Sequence, residues 1–205
     1  MSRKSSRTRR HVFVNCPFDR QYQPIFEAVI FAIHACGFYS RCALENGDSD
    51  QVRLAKIIRM IGECELGIHD LSRVDTHGQL PRFNMPLELG LFLGAQKFGG
   101  TKNRRKTCLV LEGEPYQYQR FISDLAGVDP AAHLNQPHEA VGAVRKFLSA
   151  HRAGHTVPGR DRILELYDDF SGELPALLEA VKQDRESMTF AEFRDYVQDY
   201  VVQQR

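Results

Sequence analysis

Two runs in this chain are apolar throughout, Val12-Phe13-Val14 and Cys108-Leu109-Val110-Leu111. A strand with one wet face alternates polar and apolar residues. A strand that is apolar at every position is covered on both faces, as in a parallel sheet with helices on either side. From His11 onward the pattern switches repeatedly between a strand-like run and a helical stripe, as βαβ units require. His11 to Asn15 reads as the first strand, stopped by Cys16-Pro17. Phe26, Val29, Ile30 and Ile33 then stripe a helix that Gly37 closes. Phe38 to Leu44 forms the second strand, Asn46 to Asp50 a turn, and Leu54, Ile57, Ile58 and Ile61 the next helical stripe. Leu66 to Asp70 is a third strand, followed by a polar loop from Ser72 to about Phe83 and a helix from Met85-Pro86 to Gly99-Gly100. Thr107 to Leu111 is the fourth strand, Tyr116 to Leu125 a helix, Val128 to Leu134 a short fifth strand and His138 to His151 a helix.

The expectation is an α/β fold, a doubly wound, mainly parallel five-stranded sheet over residues 11–152. Residues 1–10, with cations at Arg3, Lys4, Arg7, Arg9 and Arg10, read as a disordered basic tail. Past Gly154 the strands vanish. Helical stripes at Ile163 to Phe170, Leu174 to Val181 and Phe190 to Val197 predict a three-helix appendage over 155–205. Its stripe of Phe190, Phe193 and Tyr196 has two outlets, docking on its own main domain or pairing with a second subunit as a homo-oligomer. Asp184 to Thr189 lacks the ligands of a calcium loop and reads as a helix-helix turn.

A net charge of +1 makes nucleic acid an unexpected partner. Five widely spaced cysteines without a C-x-x-C pair predict reduced thiols rather than disulfides or zinc, and no metal is expected. With no apolar stretch of ~18 residues, the chain reads as cytoplasmic and not membrane-bound.

Ligands of an open parallel sheet bind beyond the carboxyl ends of its strands. Polar clusters stand at three such ends: Asn15 to Asp19, Glu45 to Asp50, and Asp70 to Arg73. The loop from Ser72 delivers a helix whose first turns carry Glu88 amid Leu87, Leu89, Leu91 and Phe92. Burying an unpaired carboxylate costs several kcal/mol, so Glu88 is either a catalyst or an acid serving the helix dipole. No glycine-rich phosphate loop is present, which leaves strand-end loops, helix starts and arginines to meet phosphates. His69 and Asp70 are neighbours on a strand and point to opposite faces, which argues against a dyad. His34 reads as packed on its helix, Cys16 as a small buried thiol, and Lys102 to Lys106 as a solvated connector.

The run Arg82-x-Asn84-x-x-x-Glu88-Leu89-Gly90-Leu91-Phe92-x-Gly94 resembles the segment of bacterial TIR-like (Toll/interleukin-1 receptor-like) domains that carries their catalytic glutamate. Val12 to Asp19 and Ile68 to Ser72 resemble the strand ends of the wider group that joins TIR domains with nucleoside deoxyribosyltransferases. The resemblance spans roughly residues 11 to 135. It implies a flavodoxin-like fold that cleaves an N-glycosidic bond, with NAD as substrate and no separate cofactor, as in effectors of bacterial anti-phage defence. It further implies Glu88 as the catalytic carboxylate, Asp70 toward ribose hydroxyls, and Asn15, Phe18 and Asp19 along the base or ribose. Arg82 would meet the diphosphate, and Asn84 is a further substrate-binding residue. It also implies self-association, and an activating signal or partner protein. The first loop reads Asn15-Cys16-Pro17-Phe18 where TIR domains are commonly Ser-rich, and the chain has no Trp. A non-catalytic nucleotide-binding module is therefore the alternative, and a nucleoside deoxyribosyltransferase the third reading.

Overall fold

A computed structural model describes residues 10–45, 52–74, 82–125, 129–152 and 154–204. The basic tail before Arg10, the Asn46 to Asp50 turn and most of the loop after Val74 lie outside the described residues. Five strands, β1 (His11–Asn15), β2 (Tyr39–Cys42), β3 (Leu66–Asp70), β4 (Thr107–Glu112) and β5 (Ala131–Ala132), form one sheet in the order β2-β1-β3-β4-β5. Every pairing is parallel, in line with the apolar strand runs. This is the flavodoxin-like order. The chain leaves β1 for β2 on one side and returns to β3 on the other, so the strand order reverses between β1 and β3.

Helices cover both faces. Val12 and Val14 point to the side of α1 (Gln23–Ala35) and α4 (Pro137–Ala150), whereas Phe13 points to α2 (Arg53–Glu63) and α3 (Asn84–Phe98). The α1 helix ends in a Schellman motif. Phe38 N–H donates to Ile33 O and Gly37 N–H to His34 O, and Gly37 takes the left-handed φ of 86° that favours glycine.

Ten of the thirteen residues of α1 are buried, because the C-terminal helices α5 (Arg160–Ala180) and α6 (Phe190–Gln203) cover the side that the sheet does not. A helix that is apolar nearly all round demands such a cover. Phe190 and Phe193 are part of it: Phe26 meets Phe190, and Phe31 and Phe193 both meet Phe170. This stripe docks on its own domain. The expected three helices are two, since Ile163, Leu166, Tyr167, Phe170, Leu174 and Leu178 form one stripe in phase along α5, and Pro175 sits inside it without ending it.

Three other expectations change. The predicted helix over Tyr116 to Leu125 is two short 3₁₀ turns, because the Glu112 carboxylate takes the Tyr116 and Tyr118 amides and Tyr116 adopts φ 64°. On α2 the buried face is Ile57, Met60 and Ile61, which leaves Leu54 and Ile58 exposed. Lys106, expected in a solvated connector, is buried. Its ammonium donates to the Ile61 and Cys64 carbonyls at the end of α2 and lies 5.0 Å from the centre of the Phe92 ring. Only the Cys64 amide, at 3.3 Å from Ile61 O, otherwise serves this helix end locally, so the lysine completes its C-terminus. Lys106→Met is expected to destabilise the fold by roughly 1–3 kcal/mol, read as a lower midpoint in chemical denaturation.

All five cysteines are free thiols. Among the described residues, no helix is long and apolar enough to cross a membrane.

Candidate functional site

The carboxyl edge of the sheet at the β1/β3 reversal is where a ligand of this fold has room to enter. Asn15 ends β1. Its amide donates to Met85 O at 2.8 Å and faces His69 Nδ1 at 3.0 Å, so the end of β1 holds both β3 and the first turn of α3. Burial lowers the His69 pKa to about 3, which keeps the ring neutral, and the Asn15 amide places its proton on Nε2. The ring stands edge-on to Phe13 and Phe92, on the α2/α3 face. Close packing there depends on Gly67, where a Cβ would fall 2.8 Å from His69 Nε2 and 2.9 Å from Phe92.

Asp70 faces the other way and is fully buried. Tyr22 Oη donates to its Oδ2 at 2.7 Å, the Ser72 amide donates to Oδ1 at 2.8 Å, and His133 Nε2 lies 3.0 Å from Oδ2. The Asn135 backbone amide donates to His133 Nδ1, so a neutral ring carries its proton on Nε2, the nitrogen nearer to Asp70. Burial by itself would raise the Asp70 pKa, but His133 and Ser72 more than offset it and hold the carboxyl below its ordinary range. Asp70 acts on the site by fixing the ends of β1, β3 and β5 relative to one another.

Asp19 is a second junction. Arg82 Nη1 reaches its Oδ2 at 2.7 Å, Arg73 Nε reaches the same oxygen at 3.1 Å, and the Tyr22 amide donates to Oδ1 at 3.2 Å. Two cations on one carboxylate leave a local charge of about +1, with both guanidinium groups partly exposed. Arg73 closes the polar cluster after β3 that the sequence marks, but its pairing with Asp19 has no local signal. His133 escaped the sequence reading, since nothing local marks a histidine after a two-residue strand.

Glu88 sits in the second turn of α3. With Met85, Leu89 and Phe92 it forms the buried stripe of that helix, so a carboxylate occupies a core position. It is 5% exposed and makes no hydrogen bond with the described residues. Burial raises its pKa to about 7, opposed only by the more distant positive charge of Arg53 at the start of α2. Both Glu88 and Asp70 bear on the Cys16 thiol just past β1, whose pKa burial already pushes well up. Cys16 is therefore a protonated, unreactive thiol.

Asn15 and Asp70 end β1 and β3 at this edge, Asn15 holds the turn of α3 that precedes Glu88, and Arg82 pairs with Asp19 in the loop after β1. Asn84 opens α3 and is exposed. Phe18 and Asp19 also line a cavity of ≈ 200 Å³ on the α1/α6 side of the first loop, and the other five expected residues are not among its walls.

Comparison with known protein families, with curated proteins and with solved structures finds no match to this chain. Fold and edge together still define a class: a flavodoxin-like α/β protein with a desolvated carboxylate beside its strand-order reversal.

Proposed function

We propose that the chain is a TIR-like NAD glycohydrolase that cleaves the bond between nicotinamide and ribose, with Glu88 as the catalytic carboxylate. The observation that supports this most is Glu88 itself: buried, free of hydrogen bonds with the described residues, and raised to about 7 at the edge where this fold binds ligands. An acid serving only the helix dipole gains nothing from such burial, since that interaction is worth ~0.3–1 kcal/mol at an exposed terminus.

In the reaction the C1′–N bond breaks and nicotinamide leaves with the bonding pair. The ribosyl carbon becomes cationic, water adds to it, and a proton goes to solvent. A carboxylate in a dry pocket opposite that carbon stabilises the charge as it develops. The pyridinium of bound NAD favours the ionised form of Glu88, because an opposite charge nearby lowers a carboxyl pKa. The Asp19-linked Arg73 and Arg82 supply positive charge for the diphosphate. A role in bacterial defence rests on the sequence resemblance.

Incubating the protein with NAD and following nicotinamide release tests the reading. The kcat/KM for nicotinamide release should rise with pH and level off above about 7 as Glu88 of the free protein ionises. A rate that falls across that interval, or no release at all, overturns it. The second reading, a nucleotide-binding module without chemistry, is favoured by the way Asn15 and Asp70 spend their polar atoms inside the chain. It predicts NAD binding with no nicotinamide released.

A further inference from the structure

The ≈ 200 Å³ cavity beside the first loop shares Phe18 and Asp19 with the expected substrate residues, and its other walls are parts that the Glu88 edge does not use. Its floor is aromatic: Phe18 stands edge-on to Phe26 with ring centres 5.7 Å apart, and Phe26 meets Phe190 at 5.9 Å. Met188 and Phe193 complete it. A dry cavity of about 150 Å³ accepts benzene, so this one has room for a single ring with a short arm.

The charged walls are unbalanced. Three of the twelve lining residues are carboxylates, Asp19, Glu27 and Glu186, against one cation, Arg185. Asp19 is held by Arg73 and Arg82, and Glu186 lies out in solvent beside Arg20. Glu27 differs from both. Its carboxylate side chain is only 14% exposed, and burial raises its pKa despite the partners it has. Those partners are Gln23 Nε2 at 3.0 Å and Arg185 Nη2 at 2.8 and 2.6 Å.

Arg185 comes from the loop between α5 and α6, which is anchored at both ends. Lys182 takes a left-handed φ of 56° to close α5, and Thr189 and Glu192 form a capping box that opens α6. The tip of this loop lies across the cavity, and the Arg185 side chain is 42% exposed. Returning an exposed guanidinium to water costs little, so a bound cation can take its place on Glu27.

We propose that this cavity is a second ligand site, for a compact organic cation that carries one ring or a branched aliphatic group. The apolar part sits on Phe18 and Phe26, whose ring faces also attract a cation, and the charge pairs with Glu27 in place of Arg185. The probes are benzamidine, with benzoate and benzyl alcohol as ring-matched controls, titrated into the full chain by NMR. Benzamidine should give saturable shifts at Phe18, Phe26 and Met188, while benzoate gives none and benzyl alcohol binds more weakly. Arg185→Ala removes the competing cation and should tighten benzamidine binding several-fold. Glu27→Gln keeps the shape of the wall and should weaken it roughly tenfold, about 1.4 kcal/mol. A role for Glu27 confined to folding predicts no such opposed pair of effects. No saturable binding to the parent and to Arg185→Ala, or benzoate binding as well as benzamidine, overturns the proposal. Arg185 is exposed, so its variant reports even where Glu27→Gln fails to fold. The readout is binding away from Glu88, so the absence of NAD cleavage leaves this result intact.

Discussion

Glu88→Gln is expected to lose nicotinamide release by about a hundred- to a thousandfold and, above pH 7, to be more stable than the parent. The first effect is the loss of ~2.7–4 kcal/mol of charge stabilisation opposite the ribosyl carbon. The amide matches the carboxylate in size, so the packing of Met85, Leu89 and Phe92 is kept. The second effect follows from the raised pKa. Between the ordinary value of 4.5 and about 7, the folded chain holds the Glu88 proton more tightly than the unfolded chain, so stability falls as pH rises through that interval. At pH 5 the neutral acid and the amide differ little. At pH 8 the parent carries a desolvated charge that the variant lacks, which is worth about 1–3 kcal/mol. Denaturant titrations at the two pH values, run beside the NAD assay, read both effects. A glutamate that served only the helix dipole would give the reverse, a variant less stable at pH 8 with turnover unchanged. Retained turnover would defeat the enzymatic role, and NAD binding without turnover in either protein would favour the binding module.

Asp70→Ala is the substitution expected to damage the fold most. It strips the acceptor from Tyr22 Oη and from the Ser72 amide and takes away the carboxylate 3.0 Å from His133 Nε2, all within a fully buried junction. Removing one member of such a charged network costs about 3–5 kcal/mol. In a domain of this size that is a fall in melting temperature on the order of 10 °C. Asp70→Asn keeps the volume and one acceptor oxygen, and should lose less. The pH dependence has the opposite sign to that of Glu88. The folded-state pKa of Asp70 is depressed, so its contribution is fully present above the ordinary value of 3.8 and is lost as pH falls below that toward the folded-state value. Acid titrations should therefore show the gap between parent and Asp70→Ala closing at low pH. An Asp70→Ala protein as stable as the parent at pH 7 would show that β1, β3 and β5 do not depend on this junction.

What the sequence determined by itself is what short-range pattern can encode. Strands apolar on both faces require helices above and below, so β1 and β4 announced a parallel sheet before any pairing was known. Gly37 announced the end of α1 because its φ of 86° suits no other residue as well. Glu88 drew notice as a carboxylate in an apolar run, and its burial in the stripe of α3 is the structural counterpart of that anomaly. Tertiary structure decided who meets whom. Periodicity tells that a face is buried but never against what, so the α6 stripe was equally compatible with a second subunit until α1 proved to need a cover on its outer side. The same holds for His133 on Asp70, Arg73 on Asp19 and Lys106 at the end of α2, where the partners lie 63, 54 and 42–45 residues apart and no local rule links them. The physical reason is that a helix or strand is fixed by neighbours three or four residues away. A buried charge is fixed by whichever distant group the folded chain brings within hydrogen-bonding range.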